Sequence, residues 1–368
     1  MIMVASSSVT ESEGGRTSRD RLSKRIVRLQ GLLDEGVDET ARAARRVVWQ
    51  PSPRSQPAEW IAVRSALLRR TENHLQCTRI QAISASKSAA VQVLLLALFE
   101  LQVGTIRAKS GRARTRLPIS YREDPTLPTW VEFTALPTVD KTSKRTHARN
   151  AKANRERQVK RALDRLAECG RVELKPERTH GRYENFAVLN EGTNNGGADG
   201  VTYHVPPALG SGKARRQMLT IPVQFFLNNW VDALTDNEII TYLTLRLMAQ
   251  AFPGRHAEDG VYLAQEDRIR LFNLDRGFEA HRMLSRYGLI DTIRDRRRNA
   301  DGTMTKSEEV GAGDIHRFKL DDSVLGQPAI PRVITSLTLF ADGADADDAA
   351  LADAIQRWTA NLKNTSTS

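Results

Sequence analysis

The strongest constraint on the fold is the order of apolar and punctuating residues over positions 263–320. Leu263, Ile269 and Phe272 lie at a spacing that predicts a short helix over 263–272, followed by a turn at 273–275. A second helix is expected over 276–287, with Phe278, Ala280, Leu284 and Tyr287 available for its inner face. Gly288 is a helix stop, residues 289–293 read as a strand, and 315–320 alternate apolar and basic residues as a returning strand would. Upstream, Thr235 and Glu238 have the Thr-x-x-Glu spacing of a capping box. The helix they open would bury Ile239, Ile240, Leu243, Leu247 and Met248, with Trp230 and Val231 packed beside it.

Helix, turn, helix, "YGLI", strand, basic loop, strand resembles the winged helix-turn-helix. With "IPVQFFLNNWVDALTDNEIITYLTLRL" ahead of it, the stretch 219–320 is similar to helix-turn-helix regulators and replication proteins of bacteria and their mobile elements. The resemblance implies a second helix lying in a major groove and a hairpin loop against the phosphates. Arg276, Glu279 and Arg282 would then occupy the exposed side of the reading helix, with His281 nearby, while Arg294, Arg296, Arg297 and Arg298 crowd the wing. The alternative is a winged helix that contacts proteins, its arginines simply solvated.

The first half carries a weaker version of the same pattern. Residues 59–75 have the composition of a helix, and 86–103 form one whose apolar run, 93–99, implies burial on most sides. Leu117, Ile119 and Tyr121 alternate as in a short strand, and 129–136 suit one or two helical turns. Residues 141–171 hold eleven basic residues against three acidic ones. Val159, Ala162, Leu163 and Leu166 give that segment an apolar stripe, so its second half is expected to pack while its first half projects charge. Arg145, Arg149, Lys152, Arg155, Arg157 and Lys160 are the expected phosphate contacts; a solvated charge run is the alternative. Residues 171–174 and 183–189 read as two strands joined at His180 and Gly181.

These readings predict a mainly α fold with small β-hairpins: two winged-helix-like domains plus helical N- and C-terminal extensions. The expected divisions are a basic, partly disordered extension over 1–57, a first winged-helix-like domain over 58–190, and a linker over 191–218. A second such domain spans 219–325, and 326–368 form an acidic tail. Within the extension, Leu22, Ile26, Leu29 and Leu33 make a basic amphipathic helix that either lies on nucleic acid or docks on the body. In the tail, Leu351, Ile355, Trp358 and Leu362 form a stripe suited to fold-back or to pairing with a second copy. A homodimer is compatible with the latter.

Lys and Arg exceed Asp and Glu, 55 to 44, a formal net charge of +11 that favours a polyanionic partner. Aromatics at 6% are sparse for a base-stacking RNA surface, which directs the expectation to double-stranded DNA. Cys77 and Cys169 are too few for a disulfide framework and too separated for a zinc cluster, so a cytoplasmic protein is expected. The run 93–99 is far below the roughly 20 residues needed to span a bilayer, and the N-terminus lacks the pattern of a secretory leader. Gly210, Gly212 and Lys213 fail as a phosphate loop, because Pro207 stands where its first Gly is required and Ala214 where Ser or Thr would bind magnesium. The seven histidines include no His-x-His pair and no HExxH, and there is no Gly-x-Ser-x-Gly. The expectation is therefore no enzyme, no cofactor and no metal, and no effector is identified. A sequence-specific transcription regulator is the leading reading; a plasmid or phage replication initiator that binds origin repeats is the alternative, and a protein-interaction module a further one.

Overall fold

A computed structural model of the chain describes residues 13–50, 58–70, 77–86, 88–103, 113–120, 127–138, 144–192, 203–206, 214–274, 280–293 and 317–341. Helices α1 (Glu13–Asp34) and α2 (Val37–Trp49) come first, followed by strand β1 (Trp60–Arg64). Helices α3 (Arg79–Ser84), α4 (Ala90–Val103), α5 (Trp130–Phe133) and α6 (Lys144–Glu168) lead to strands β2 (Val172–Glu173) and β3 (Ala187–Val188). Strand β4 (Met218–Pro222) opens the second half, with α7 (Gln224–Leu227), α8 (Trp230–Ala233), α9 (Asp236–Ala251) and α10 (Pro253–Asp259) after it. There follow β5 (Val261–Tyr262), α11 (Gln265–Phe272), α12 (Ala280–Arg286), β6 (Ile290–Ile293), β7 (Arg317–Leu320) and α13 (Ala329–Ala341). The fold is mainly helical with small antiparallel sheets, as the periodicities predict.

The long helices form for local reasons. Thr235 accepts the Glu238 amide while the Glu238 carboxylate accepts the Thr235 amide, so two otherwise orphaned donors at the start of α9 are satisfied. Helix α4 is apolar all round and largely buried from Ala90 to Glu100, as its continuous run predicts. On α6, Val159, Ala162, Leu163 and Leu166 are fully buried, so the stripe is a packing face.

Residues 60–64, expected as part of a helix, instead form β1. Ile61 and Val63 are buried and alternate with more exposed neighbours, the period of a half-buried strand. Its partner is β4, antiparallel, with Ala62 opposite Thr220. At this pair the backbone N–H and C=O groups of both residues point away from the partner strand and need acceptors and donors elsewhere. Gln102 at the end of α4 supplies both for Ala62, accepting its amide at 2.8 Å and donating to its carbonyl at 2.7 Å. Gln250 at the end of α9 does the same for Thr220, at 2.9 Å in each direction. Strand, long helix and glutamine are thus repeated in inverted sense across one strand pair.

The repetition extends outward. In the first half, Arg114 bridges Ala187 of β3, and β3 pairs with β2, so the spatial order is residue 114, β3, β2. In the second half the order is β5, β7, β6. In each, a long buried helix, a first strand position and two helices precede a pair of antiparallel strands, with the last strand in the middle. Gly181 adopts φ +67° in the β2–β3 connection, the left-handed conformation that suits glycine. Arg246 Nε also donates to the Thr220 carbonyl, at 2.6 Å, so Gln102→Leu, which strips both Ala62 groups, is expected to lower unfolding free energy by about 1–3 kcal/mol and Gln250→Leu by less. Equilibrium urea unfolding of the two variants checks this; a larger loss in Gln250→Leu than in Gln102→Leu refutes it.

One continuous apolar core joins the halves, from Leu29 on α1 to Leu337 on α13. Phe99 of α4 stacks on Phe226 of α7 at 4.9 Å between ring centroids. Helix α1 docks through buried Leu29 and Leu32, which answers the choice left open for it: within residues 20–34 its apolar stripe is a docking face. Helices α2 and α13 have no counterpart in the sequence expectations. Helix α2 buries Val37, Ala41, Ala44 and the charged Arg45, a small face that composition alone does not signal.

Glu100 of α4 is also buried. One carboxylate oxygen accepts the Arg116 amide at 3.1 Å and the other has no hydrogen-bond partner among the described residues. Burial, partly offset by Arg116, pushes this carboxyl up to about 7. Its folded value thus lies above the unfolded one, about 4.3, so its contribution is fully present below that value and is lost as pH rises through 7. Glu100→Gln is expected to flatten the fall in thermal stability between about pH 5 and pH 8, by up to about 3 kcal/mol at the upper end. Parallel pH profiles for wild type and variant would refute the assignment.

Candidate nucleic-acid interface

Helix α6 presents two different faces. The buried stripe lies against α4 and α5, and the turns between leave Lys152, Arg157 and Arg161 exposed. Helical periodicity accounts for this, since residues on the face opposite Val159, Ala162 and Leu166 must meet solvent. Arg155 and Lys160 are engaged within the protein. Arg155 donates to the Leu136 carbonyl at 3.1 Å and pairs with Glu35 at the end of α1, and burial lowers its guanidinium from the ordinary value despite that carboxylate. Lys160 is half-buried, bonds Glu156 at 2.5 Å and sits over the Tyr183 ring at 5.7 Å. Arg145 and Arg149 lie on the first turns of α6, and their side chains fall outside the described residues.

The β2–β3 connection adds basic residues that the sequence pattern does not single out. Lys175, His180 and Arg182 line a cavity of 570 Å³ shared with Lys160 and Tyr183 of the neighbouring surface. Arg182 stacks on Tyr183 at 5.5 Å and pairs with Asp164 of α6 at 3.3 Å, which ties the hairpin to the helix. Tyr183 donates to Asp164 at 3.0 Å; burial and this bond raise its phenol above the ordinary range. The turn at His180 and Gly181 is legible in sequence, and the cations flanking it are the signal that could have marked the surface. Hairpin loops are where phosphate contacts accrue once a helix is seated.

In the second half, α11 and α12 fall within the two stretches expected as helices, 263–272 and 276–287. Phe272, Leu284 and Tyr287 are buried, as expected, whereas Ile269 is 38% exposed. Arg282 is exposed on α12. His281 is not: it is buried, with its ring 5.2 Å from that of Phe318 on β7, so the expectation that it stands near the reading face is corrected. The reason is periodicity, because His281 shares the inner side of α12 with Leu284. Arg286 stacks on Phe340 of α13 at 4.2 Å. Arg276, Glu279, Arg294, Arg296, Arg297 and Arg298 lie outside the described residues, as do the tail stripe and residues 51–57.

Tyr287, which ends this helix pair, donates to Glu238 at 3.1 Å; Glu238 also takes both terminal nitrogens of Arg25 from α1, at 2.7 and 2.6 Å. Arg25 lies over the Tyr287 ring at 5.7 Å. The cluster sets the angle between α1, α9 and α12.

Among the described residues no group of three or more His, Cys, Asp or Glu is placed to hold a metal ion, and no helix is long and apolar enough to cross a membrane. Cys77 and Cys169 are free thiols. Comparison of the chain with models of protein families, with curated proteins and with solved structures finds no match.

Proposed function

We propose that this chain is a sequence-specific duplex-DNA-binding protein that grips DNA through two winged-helix units, and acts as a transcription regulator. The observation that carries the reading is the repeated element order, a helix pair followed by antiparallel strands with the last strand central, combined with the exposed cations of α6. In this reading α12, with Arg282, supplies base readout in a major groove, and Lys152, Arg157 and the hairpin loop supply sequence-independent phosphate contacts. The net charge of +11 supports a polyanionic partner.

A second reading, a replication initiator that binds repeated origin sites, is favoured by one feature. The two units are joined in inverted sense by the β1–β4 pair, which presents two reading elements from one chain. Cytoplasmic residence and a homodimeric state accompany either reading as proposals.

The test is fluorescence anisotropy of the full chain with random duplex and with DNA from upstream of its own gene, each across a salt series. Upstream DNA bound at least about tenfold tighter than random duplex, with log K falling about 0.9 per phosphate neutralised, is the expected result. No retention of either duplex at moderate salt sinks it and leaves the protein-interaction reading.

A further inference from the structure

A recess of 770 Å³ lies between α1, the turn from α3 to α4, and the start of α9. We infer that it is a binding site for a small polyphosphate ligand of nucleoside di- or triphosphate size, distinct from the DNA-contacting surface.

The argument begins on α1. Arg21, Lys24, Arg25 and Arg28 line the recess and recur at helical spacing along one side of that helix. Arg25 is consumed by Glu238 and the Ala233 carbonyl. Asp232, which also lines the recess, is consumed by Arg45 at 2.6 Å. Arg21, Lys24 and Arg28 remain, and none makes an ion pair or hydrogen bond with the described residues. Asp232 and Asp236 are the carboxylates on the wall; Asp232 is in a buried ion pair with Arg45, and both carboxylates bear on Arg28.

Arg28 is open to solvent through the mouth, yet burial by the surrounding walls and then the charge of Arg25 lower its guanidinium from the ordinary value, against the nearby carboxylates of Asp232, Asp236 and Glu238. An anion bound in the recess would add to the charges that hold this guanidinium.

The three cations extend over about seven residues of helix, about 10 Å at roughly 1.5 Å per residue, more than a single phosphate bridges. A chain of two or three phosphates fits that row. Across the recess, Ser86 and Ser88 offer hydroxyls, and they bond each other at 2.7 Å, which orients both. Leu22, Leu136 and Leu234 give an apolar wall for an organic moiety. The volume falls within the range of small-ligand sites, about 300–1,000 Å³. A ligand here touches α1 together with elements of both halves, so its binding is coupled to how the halves are held.

The same phosphate chemistry is carried by a DNA backbone lying across the mouth, so the experiment separates the two sources. Isothermal titration calorimetry of the full chain, without divalent cations, uses ATP, pyrophosphate, adenosine and a random duplex. Thermal unfolding is followed in parallel. Saturable binding of ATP and pyrophosphate, none of adenosine, and at least a tenfold loss of affinity in the triple variant Arg21→Gln, Lys24→Gln, Arg28→Gln is expected. All three side chains are exposed, so the unfolding temperature of the unliganded variant should be unchanged. Should the triple variant be unstable, Lys24→Glu alone is expected to weaken ATP binding severalfold. ATP and pyrophosphate failing to saturate at millimolar concentration overturns the inference, as does undiminished binding by the variants. Loss of duplex affinity in the triple variant with no nucleotide binding by wild type also overturns it and assigns the cations to DNA.

Discussion

Arg45→Ala is expected to destabilise the protein by about 3–5 kcal/mol, because it leaves a buried carboxylate without its counter-ion. Arg45 is wholly buried on α2 and reaches both halves of the molecule. Its Nε and Nη2 donate to the Phe133 carbonyl of α5 at 3.0 and 2.8 Å. Its Nη1 donates to the Phe226 carbonyl at 2.9 Å and to Asn229 at 2.6 Å, and pairs with Asp232 of α8 at 2.6 Å. Asp232 in turn accepts the Ala135 amide at 3.1 Å, and Asn229 donates to Asp38 of α2 at 2.7 Å. Deleting the guanidinium therefore takes the side-chain donors from the Phe133 carbonyl and from Asn229 Oδ1 and the counter-ion from Asp232 at one place, while the Phe226 carbonyl keeps the Asn229 amide at 3.2 Å. Against a total stability of about 5–15 kcal/mol for a typical protein, that is a large fraction. The measurement is chemical denaturation of wild type, Arg45→Ala, Asp232→Ala and the double variant. The double variant should lose much less than the sum of the singles, since removing both charges removes the uncompensated one. Strict additivity, or a loss below about 1 kcal/mol in Arg45→Ala, would show that the pair does not hold the halves together.

On the proposed function, binding to DNA should respond differently to cations on α12 and on α6. Arg282→Ala is expected to cost about 1–3 kcal/mol on the protein's own site and little on random duplex, if it reads a base edge. Arg157→Ala with Arg161→Ala should weaken both duplexes alike and reduce the magnitude of the salt slope by about 0.9 for each phosphate no longer neutralised. Neither variant disturbs the core, since all three side chains are exposed. His281→Ala, by contrast, is expected to change stability and not base preference, because the ring packs on Phe318. An anisotropy series across salt with these variants separates the roles. Equal effects of Arg282→Ala on specific and random DNA would remove base readout from α12.

Much of the local structure is legible in the sequence because its causes lie within a turn or two of chain. The capping box of Thr235 and Glu238, the all-apolar α4, the packing stripe of α6 and the turn at Gly181 each depend on residues a few positions apart. The strand at 60–64 reads as helix in isolation because what makes it a strand is β4, far along the chain, and the glutamines of two helices. Nothing near Trp60 announces them. The cations mislead in a related way. Arg155 and Lys160 look like surface charges in sequence, and become structural only when Glu35 and Tyr183 arrive from other elements.

The helix-rich class, the capped helix after Thr235, the helix pair with its two following strands over 263–320 and the excess of positive charge follow from the amino-acid sequence alone. Folding in three dimensions adds the rest: that the halves repeat one another in inverted sense, that α1 and α2 belong to the core, and which arginines are exposed. The difference is one of range. Capping and periodic burial act over a few residues, whereas strand pairing, buried ion pairs and the cleft under α1 require partners that only the folded chain brings within a few ångströms.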